Sequence, residues 1–337
     1  MRPVRGAHWP VIGFCRGVAP RCAPWHHQSA ARRVSVEAKG WRTFPICHRS
    51  KPPIGAACAW FAPATNRCKT WGVLPPKHGV PSDAATAPRI WPVAGVTRPP
   101  TPVGPSEWDF PDARTKTKRN GLLATGADLA PETLVHAYRN GVFPWPHDNA
   151  PLPWFSPNPR GVLPLDRFYR SKSLRQRLQR CGWTSTIDAD FPGVMERCSV
   201  RLDGESTWIT DAMRTAYLRL HQLGWAHSVE IWDGEELVGG CYGILLGAVF
   251  TGESMFHRAT DGSKIALFEL CARLHEGGGA LVDVQMVTDH LASLGALSLH
   301  RNLFLELLEE LRDDDVRLRT ERLPVARLAD HQIVVTD

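Results

Sequence analysis

The sequence predicts an α+β protein in four parts: a disordered extension over residues 1–104, a small N-terminal domain over 105–160, a larger mixed-sheet domain over 161–318 and a tail over 319–337. Three observations predict it. Charge is divided unevenly, with 15 Lys and Arg against 2 Asp and Glu in residues 1–100, and 25 against 32 in the remainder. Those first hundred residues also hold 15 of the 28 prolines and 5 of the 9 cysteines. Beyond about residue 120 the apolar positions fall into the order helix, antiparallel strands, helix, strand, helix, which suits one mixed sheet faced by helices.

The extension follows from its punctuation. Pro52-Pro53, Pro75-Pro76 and Pro99-Pro100 interrupt every candidate helix or strand, and Trp9, Trp25, Trp41, Trp60, Trp71 and Trp91 recur without period. Cys47, Cys58 and Cys68 lack the paired short spacing of a zinc site. A basic arm touching nucleic acid is one reading of this segment, and a piece without function, translated from an upstream start, is the preferred one. The apolar run Val11–Phe14 is too short for a secretory signal and is flanked by Pro10 and Arg16. No apolar run reaches the roughly 18 residues of a membrane span. Cys181, Cys198, Cys241 and Cys271 stand singly, as expected in a reducing cytoplasm.

Asp128 and Pro131 announce a helix through Leu134, Ala137 and Tyr138 that stops at Gly141. The stretches Val142–Pro146 and Trp154–Arg160 set prolines beside aromatics and predict rigid loops. Ser171–Arg180 predicts a short helix with Lys172, Arg175, Arg177 and Arg180 over a shared sector. In an acidic surround such a cluster makes a local positive field suited to phosphates, or else a solvated face. Thr210–Leu223 is amphipathic. Three strands follow, Ala226–Trp232 ending at the turn Asp233-Gly234, then Glu236–Leu246 and Ala248–Thr251, with Gly239, Gly240, Gly243 and Gly247 suggesting bulges. Gly252–Phe256 reads as a loop, Gly262–His275 as a helix closed by Gly277–Gly279, and Leu281 onward as an apolar strand. A short helix from Thr288 and a last one over Leu303–Leu311 complete the chain.

Asp283 and Gln285 sit two apart on that late strand, so both leave one face. Unpaired burial would cost each roughly 1–3 kcal/mol. An edge strand with a wet face, a satisfied core pair and a functional site all remain open on this pattern alone. Other chemistries fit worse. Ser254 follows Gly252-Glu253 but Phe256 stands where a nucleophile elbow needs glycine. His221, His227, His257, His275 and His290 make no metal-ligand pair, so no metal is expected. The glycines 277–279 precede a strand and do not join a strand to a helix, which excludes a phosphate loop.

Six segments then resemble one family. They are Ala137-Tyr138-Arg139-Asn140-Gly141-Val142-Phe143-Pro144-Trp145, Thr207-Trp208-Ile209-Thr210, Ala226-His227-Ser228-Val229-Glu230-Ile231-Trp232, Leu237-Val238-Gly239-Gly240-Cys241-Tyr242-Gly243, Gly252–Phe256 and Leu281–Gly295. In order and spacing they resemble the motifs of leucyl/phenylalanyl-tRNA–protein transferases over about residues 118–313; the first hundred residues have no counterpart. The resemblance implies an acetyltransferase-like (GNAT-type) larger domain, an order of elements that the chain also shares by analogy. It implies a cytoplasmic, monomeric aminoacyltransferase without cofactor. That enzyme moves Leu or Phe from aminoacyl-tRNA to the N-terminal Arg or Lys of acceptor proteins, which marks them for N-end rule degradation.

By the same resemblance Gln285 would meet the acceptor amine through its side-chain oxygen, with Asp283 orienting and polarising it and Glu253 supplying negative charge. Cys241, Met255 and Leu270 would line an apolar pocket for the donor residue. Tyr138, Trp145, Trp208 and Tyr217 would frame it and stack on the 3′ adenosine. Lys172, Arg175, Arg177 and Arg180 would hold the tRNA backbone. Leu270 stands where well-known members have Phe and Thr288 where they have Asn; Leu270 would widen the pocket toward Phe or Met. The competing classes are another aminoacyl-tRNA-dependent acyltransferase and a non-catalytic tRNA- or peptide-binding module on the same fold.

Overall fold

The computed structural model describes residues 95–146, 151–200 and 207–333. Expectations for residues 1–94, the cysteines 47, 58 and 68 included, lie outside them. Residues 95–104, expected within the disordered extension, are held in place. Val96 bridges Arg319, the Thr97 N–H donates to Leu318 O at 2.8 Å and the Thr101 N–H to Leu223 O at 2.7 Å. These bonds join partners more than a hundred positions apart, which local pattern does not reveal.

In chain order the elements are α1 (Ala113–Lys116), β1 (Leu122–Thr125), α2 (Pro131–Arg139), β2 (Phe143–Pro144), β3 (Pro153–Phe155), β4 (Arg160–Pro164), α3 (Lys172–Arg180), β5 (Thr184–Ile187), α4 (Phe191–Cys198) and α5 (Asp211–Gln222). There follow β6 (Ala226–Asp233), β7 (Glu236–Leu246), β8 (Val249–His257), α6 (Gly262–Glu276), β9 (Leu281–Gln285), α7 (Asp289–Ser293), β10 (Leu297–Leu299), α8 (Arg301–Leu311) and β11 (Leu323–Pro324). The helices start where their caps allow. Pro131 opens α2 in its first turn, and the side chains of Ser171, Thr210 and Thr288 accept from Leu174, Met213 and Leu291 N–H groups.

A three-stranded sheet runs β1-β3-β2, and an eight-stranded one runs β10-β4-β9-β8-β7-β6-β5-β11. Every pairing in the larger sheet is antiparallel except β8 with β9. Leu237–Leu246 is buried without alternation, so both faces of β7 are covered. Helix α6 packs on β6 through β9, while α4 and α5 pack on the middle strands. The expected mixed sheet with helices on its faces is what the chain builds.

Two expectations change. The aromatic loops contain strands: Phe143↔Phe155 and Pro144↔Trp154 pair β2 with β3. Their prolines are tolerated because β2 is an edge strand and Pro153 is the first residue of β3. Gly252–Phe256 is strand as well, in the second half of β8, pairing with Gly240–Gly243. Strands β4, β5, β10 and β11 and helix α4 are too short to declare a period, and α8 begins two residues before the expected Leu303.

Candidate active site

Strand β8 pairs in parallel with β9 over three positions only, Val249↔Leu281, Phe250↔Val282 and Thr251↔Asp283. Beyond them β8 stays with β7, while β9 turns away. The turn is built into the β4–β9 register, which jumps from Val162↔Asp283 to Gly161↔Gln285 and leaves Val284 as an extra residue. Gln285 consequently adopts φ +63°, a left-handed conformation unusual for a residue with a Cβ. Gly161 makes room for it: a Cβ there would lie 2.8 Å from the Met286 carbonyl carbon.

Asp283 is buried and saturated. Arg160 grips it from Nε at 2.7 Å to Oδ1 and from Nη2 at 2.6 Å to Oδ2. Thr251 Oγ1 donates to Oδ2 at 3.2 Å, and the Gln285 backbone N–H donates to Oδ1 at 3.0 Å. Four donors fill the four lone-pair sites of a carboxylate. The polarisation expected of Asp283 is thereby corrected: it orients Gln285 through the backbone and makes no hydrogen bond to the amide side chain. That amide instead donates from Nε2 to Glu253 Oε1 at 3.1 Å, which turns Gln285 Oε1 away from Glu253.

Glu253 is the meeting point. Tyr138 Oη donates to its Oε1 at 2.7 Å, Tyr217 Oη lies 3.0 Å from its Oε2, and the two phenols are hydrogen-bonded to each other. Burial pushes the carboxyl up to about 7, with hydrogen bonds from Tyr138 and Tyr217 and the Arg160 charge pulling down and the Asp283 charge pushing up. Proton counting gives the same picture. Four oxygens, two phenolic and two of the carboxylate, share three contacts. All three are satisfied when Glu253 is protonated, and only two when it is ionised. The expected stacking role of Tyr138 and Tyr217 fails here, because both are buried with relative exposures of 2% and 0% and offer no free face.

Cys241, Met255 and Leu270 come together as expected, lining a cavity of about 110 Å³ with Leu267, Val282 and Val284; Glu253 and Gln285 also border it. Tyr242 lines the same cavity, and its buried hydroxyl has no hydrogen-bond partner among the described residues. A larger cavity of about 810 Å³ shares Ser254 and Met255 with it and carries Arg197, His257 and Arg258. Trp145 and Trp208 line neither cavity; both are half-buried against the core, with Trp145 edge-on to Phe155. Lys172, Arg175, Arg177 and Arg180 are exposed along α3, whose Leu174 and Leu178 face inward. They are not part of the cavity lining. Among the described residues no group of three or more His, Cys, Asp or Glu is placed to hold a metal ion, and no helix is long and apolar enough to cross a membrane.

Arg160 and Thr251 were missed by sequence reasoning. Arg160 closes the Pro-Asn-Pro-Arg run and looks like surface charge; only its partner 123 residues away reveals it.

Comparison with known proteins identifies a family. Residues 162–309 match the family described as Leucyl/phenylalanyl-tRNA protein transferase, and residues 127–158 match its N-terminal domain. An Idiomarina loihiensis protein named leucyl/phenylalanyl-tRNA–protein transferase is 45% identical over 226 residues, 66% of this chain and 96% of that protein. Proteins of the same name from Pseudoalteromonas atlantica and Stutzerimonas stutzeri are each 49% identical over 201 residues, 59% of this chain and 86% and 89% of theirs.

Proposed function

The chain belongs to the leucyl/phenylalanyl-tRNA–protein transferase family, and from that premise we propose that it transfers Leu, Phe or Met from aminoacyl-tRNA to the N-terminal Arg or Lys of acceptor proteins, marking them for N-end rule degradation. The observation that carries this reading is the junction of an apolar cavity with the Glu253–Gln285 pair where β8 and β9 part. The donor side chain enters the cavity. Its ester carbonyl then lies beside the polar pair.

The donor ester is already activated, so no covalent enzyme intermediate is needed. Gln285 Oε1 accepts a hydrogen bond from the acceptor ammonium and holds it against the carbonyl; positioning of this kind supplies a large share of the barrier reduction. Glu253, held near 7 by burial, takes the proton at physiological pH. The free amine attacks the carbonyl carbon, the C–N bond forms, and the ester C–O bond breaks as the tRNA hydroxyl leaves with a proton. Asp283 has no lone pair left for the amine and acts through Gln285. The ionised Glu253 also favours an acceptor that carries a second positive charge, as Arg or Lys does. Leu270 leaves the cavity wider than Phe would and admits Phe and Met besides Leu.

The test is transfer of radiolabel from Phe-, Leu- and Met-tRNA to peptides beginning with Arg, Lys or Ala. Incorporation into the first two sets and not the third is expected. Incorporation into peptidoglycan-type amines instead would identify a different acyltransferase, and tRNA binding without transfer a non-catalytic module.

A further inference from the structure

The buried side chain that does most to shape this site touches neither cavity. Arg160 lies at the start of β4 and is 1% exposed. Besides gripping both oxygens of Asp283, its Nη1 donates to Gly141 O at 2.9 Å, and its guanidinium carbon sits 4.5 Å from the Phe304 ring centre and 5.1 Å from that of Phe143. The fork is therefore fixed in plane by two rings and by the carbonyl that ends α2. It leaves Asp283 one orientation only.

That orientation has a consequence at Gln285. A left-handed non-glycine residue costs of order 1–3 kcal/mol unless its surroundings hold it there. Two bonds hold it: the Met286 N–H to Val284 O at 2.6 Å closes a tight turn over Gln285, and the Gln285 N–H donates to Asp283 Oδ1, the same oxygen that Arg160 Nε engages. From Arg160 a continuous chain of contacts runs through Asp283 and the Gln285 backbone to the Gln285 amide on Glu253.

We propose that Arg160 is a positioning residue for the transfer reaction: by locking Asp283 it sets the left-handed turn at Gln285 and so aims the Gln285 oxygen at the acceptor amine. The proposal rests on the transferase reading above. A purely structural ion pair, tying the α2–β2 corner to the sheet, is the alternative. The two differ in what an apolar replacement would restore. Swapping a buried ion pair for apolar residues of similar volume is often neutral or stabilising. A structural pair can be replaced in that way, whereas a positioning pair cannot.

The experiment measures kcat, KM for Phe-tRNA and the thermal midpoint of the full chain for wild type, R160K and the double variant R160M/D283L. R160K keeps the charge and loses the bidentate fork; its kcat should fall about tenfold or more, with KM within about twofold of wild type. The double variant should unfold near the wild-type temperature and still transfer nothing measurable. Wild-type kcat in R160K, or activity returning with stability in the double variant, overturns the proposal.

A pH series gives a readout that does not depend on the double variant folding. Glu253 is faced by Tyr138 from α2, Tyr217 from α5, Tyr242 from β7, Gln285 and Asp283 from β9 and Arg160 from β4. Removing the Arg160 charge in R160Q should raise the midpoint of the kcat profile, and removing the Asp283 charge in D283N should lower it. Midpoints that do not move in these opposite directions overturn the proposal. A wild-type chain that fails to transfer from Phe-tRNA would instead sink the functional reading, so the two failures are distinguishable.

Discussion

Glu253 joins the chemistry to stability at the scale of one residue. Its carboxyl sits near 7 because burial disfavours the charge more than the hydrogen bonds from Tyr138 and Tyr217 and the Arg160 charge favour it. Below that pH the group is already protonated and cannot take the proton of an ammonium. Transfer should therefore rise with pH through about 7. E253Q should flatten the rise and lower kcat by roughly 10²–10⁴, the usual contribution of general base catalysis. A kcat profile of E253Q that keeps the wild-type inflection would remove Glu253 from the proton path. The stability sign is opposite. A raised folded value means that the contribution is full below the ordinary Glu value of 4.5 and is lost as pH rises through about 7. The active ionisation state is thus the less stable one, because burial penalises the charge of the carboxylate. Asp283 and Gln285 were legible in the sequence as polar residues interrupting an apolar strand, and Glu253 only through its place in a family motif. The change in role for Tyr138 and Tyr217 was not, because a tyrosine's spacing does not say whether its ring or its hydroxyl meets the ligand.

Among the elements, the end of β9 decides the geometry. Its bulge lets Asp283 stay in the sheet while Gln285 turns out of it, and the opposing strand tolerates this only because position 161 has no side chain. G161A should place a methyl within 3 Å of the Met286–Val287 backbone, cost about 1–3 kcal/mol as an overpacking change and lower kcat by displacing Gln285. Thermal unfolding and kinetics on one preparation check this, and a G161A protein with unaltered kcat would show that the bulge is not needed for transfer. The second half of β8 escaped sequence reading for a related reason. Gly252, Glu253 and Ser254 look like loop, yet Gly252 and Ser254 pair with Gly243 and Tyr242 of β7, Glu253 falls at the register shift between them, and their β9 side is left open. A strand half-paired on purpose to leave a cleft carries weak strand composition. The prolines of β2 and β3 mislead in the same manner, being placed where no ladder N–H is missed.

For the molecule as a whole, charge distribution matters more than its total of +6. The basic face of α3 projects from a region with an excess of acidic residues, so a polyanion is drawn to one side. Arg175 reaches Asp330 at 2.5 Å, but with exposures of 57% and 75% that pair is solvent-screened and contributes little. Phosphates displace it at small cost. Replacing Arg175 and Arg177 with Ala should weaken tRNA binding and reduce the slope of log affinity against log salt by about 1–2. Filter binding at several salt concentrations measures it. An unchanged slope would leave the α3 cluster as an ordinary solvated face, with no part in holding tRNA.

The sequence by itself determined the α+β class, the boundaries of the principal helices and the polar pair Asp283 and Gln285, all local and readable from period, caps and composition; the apolar pocket residues Cys241, Met255 and Leu270 and the carboxylate of Glu253 were legible only through the family motifs they sit in. Tertiary structure alone decided what those groups do to one another. Arg160 reaches Asp283 across 123 positions, the Tyr138 hydroxyl reaches Glu253 across 115, and the strand that holds Glu253 is open only because β9 leaves it. Hydrogen bonds act over about 3 Å. A chain of one dimension records the donors and acceptors, and folding chooses which of them meet.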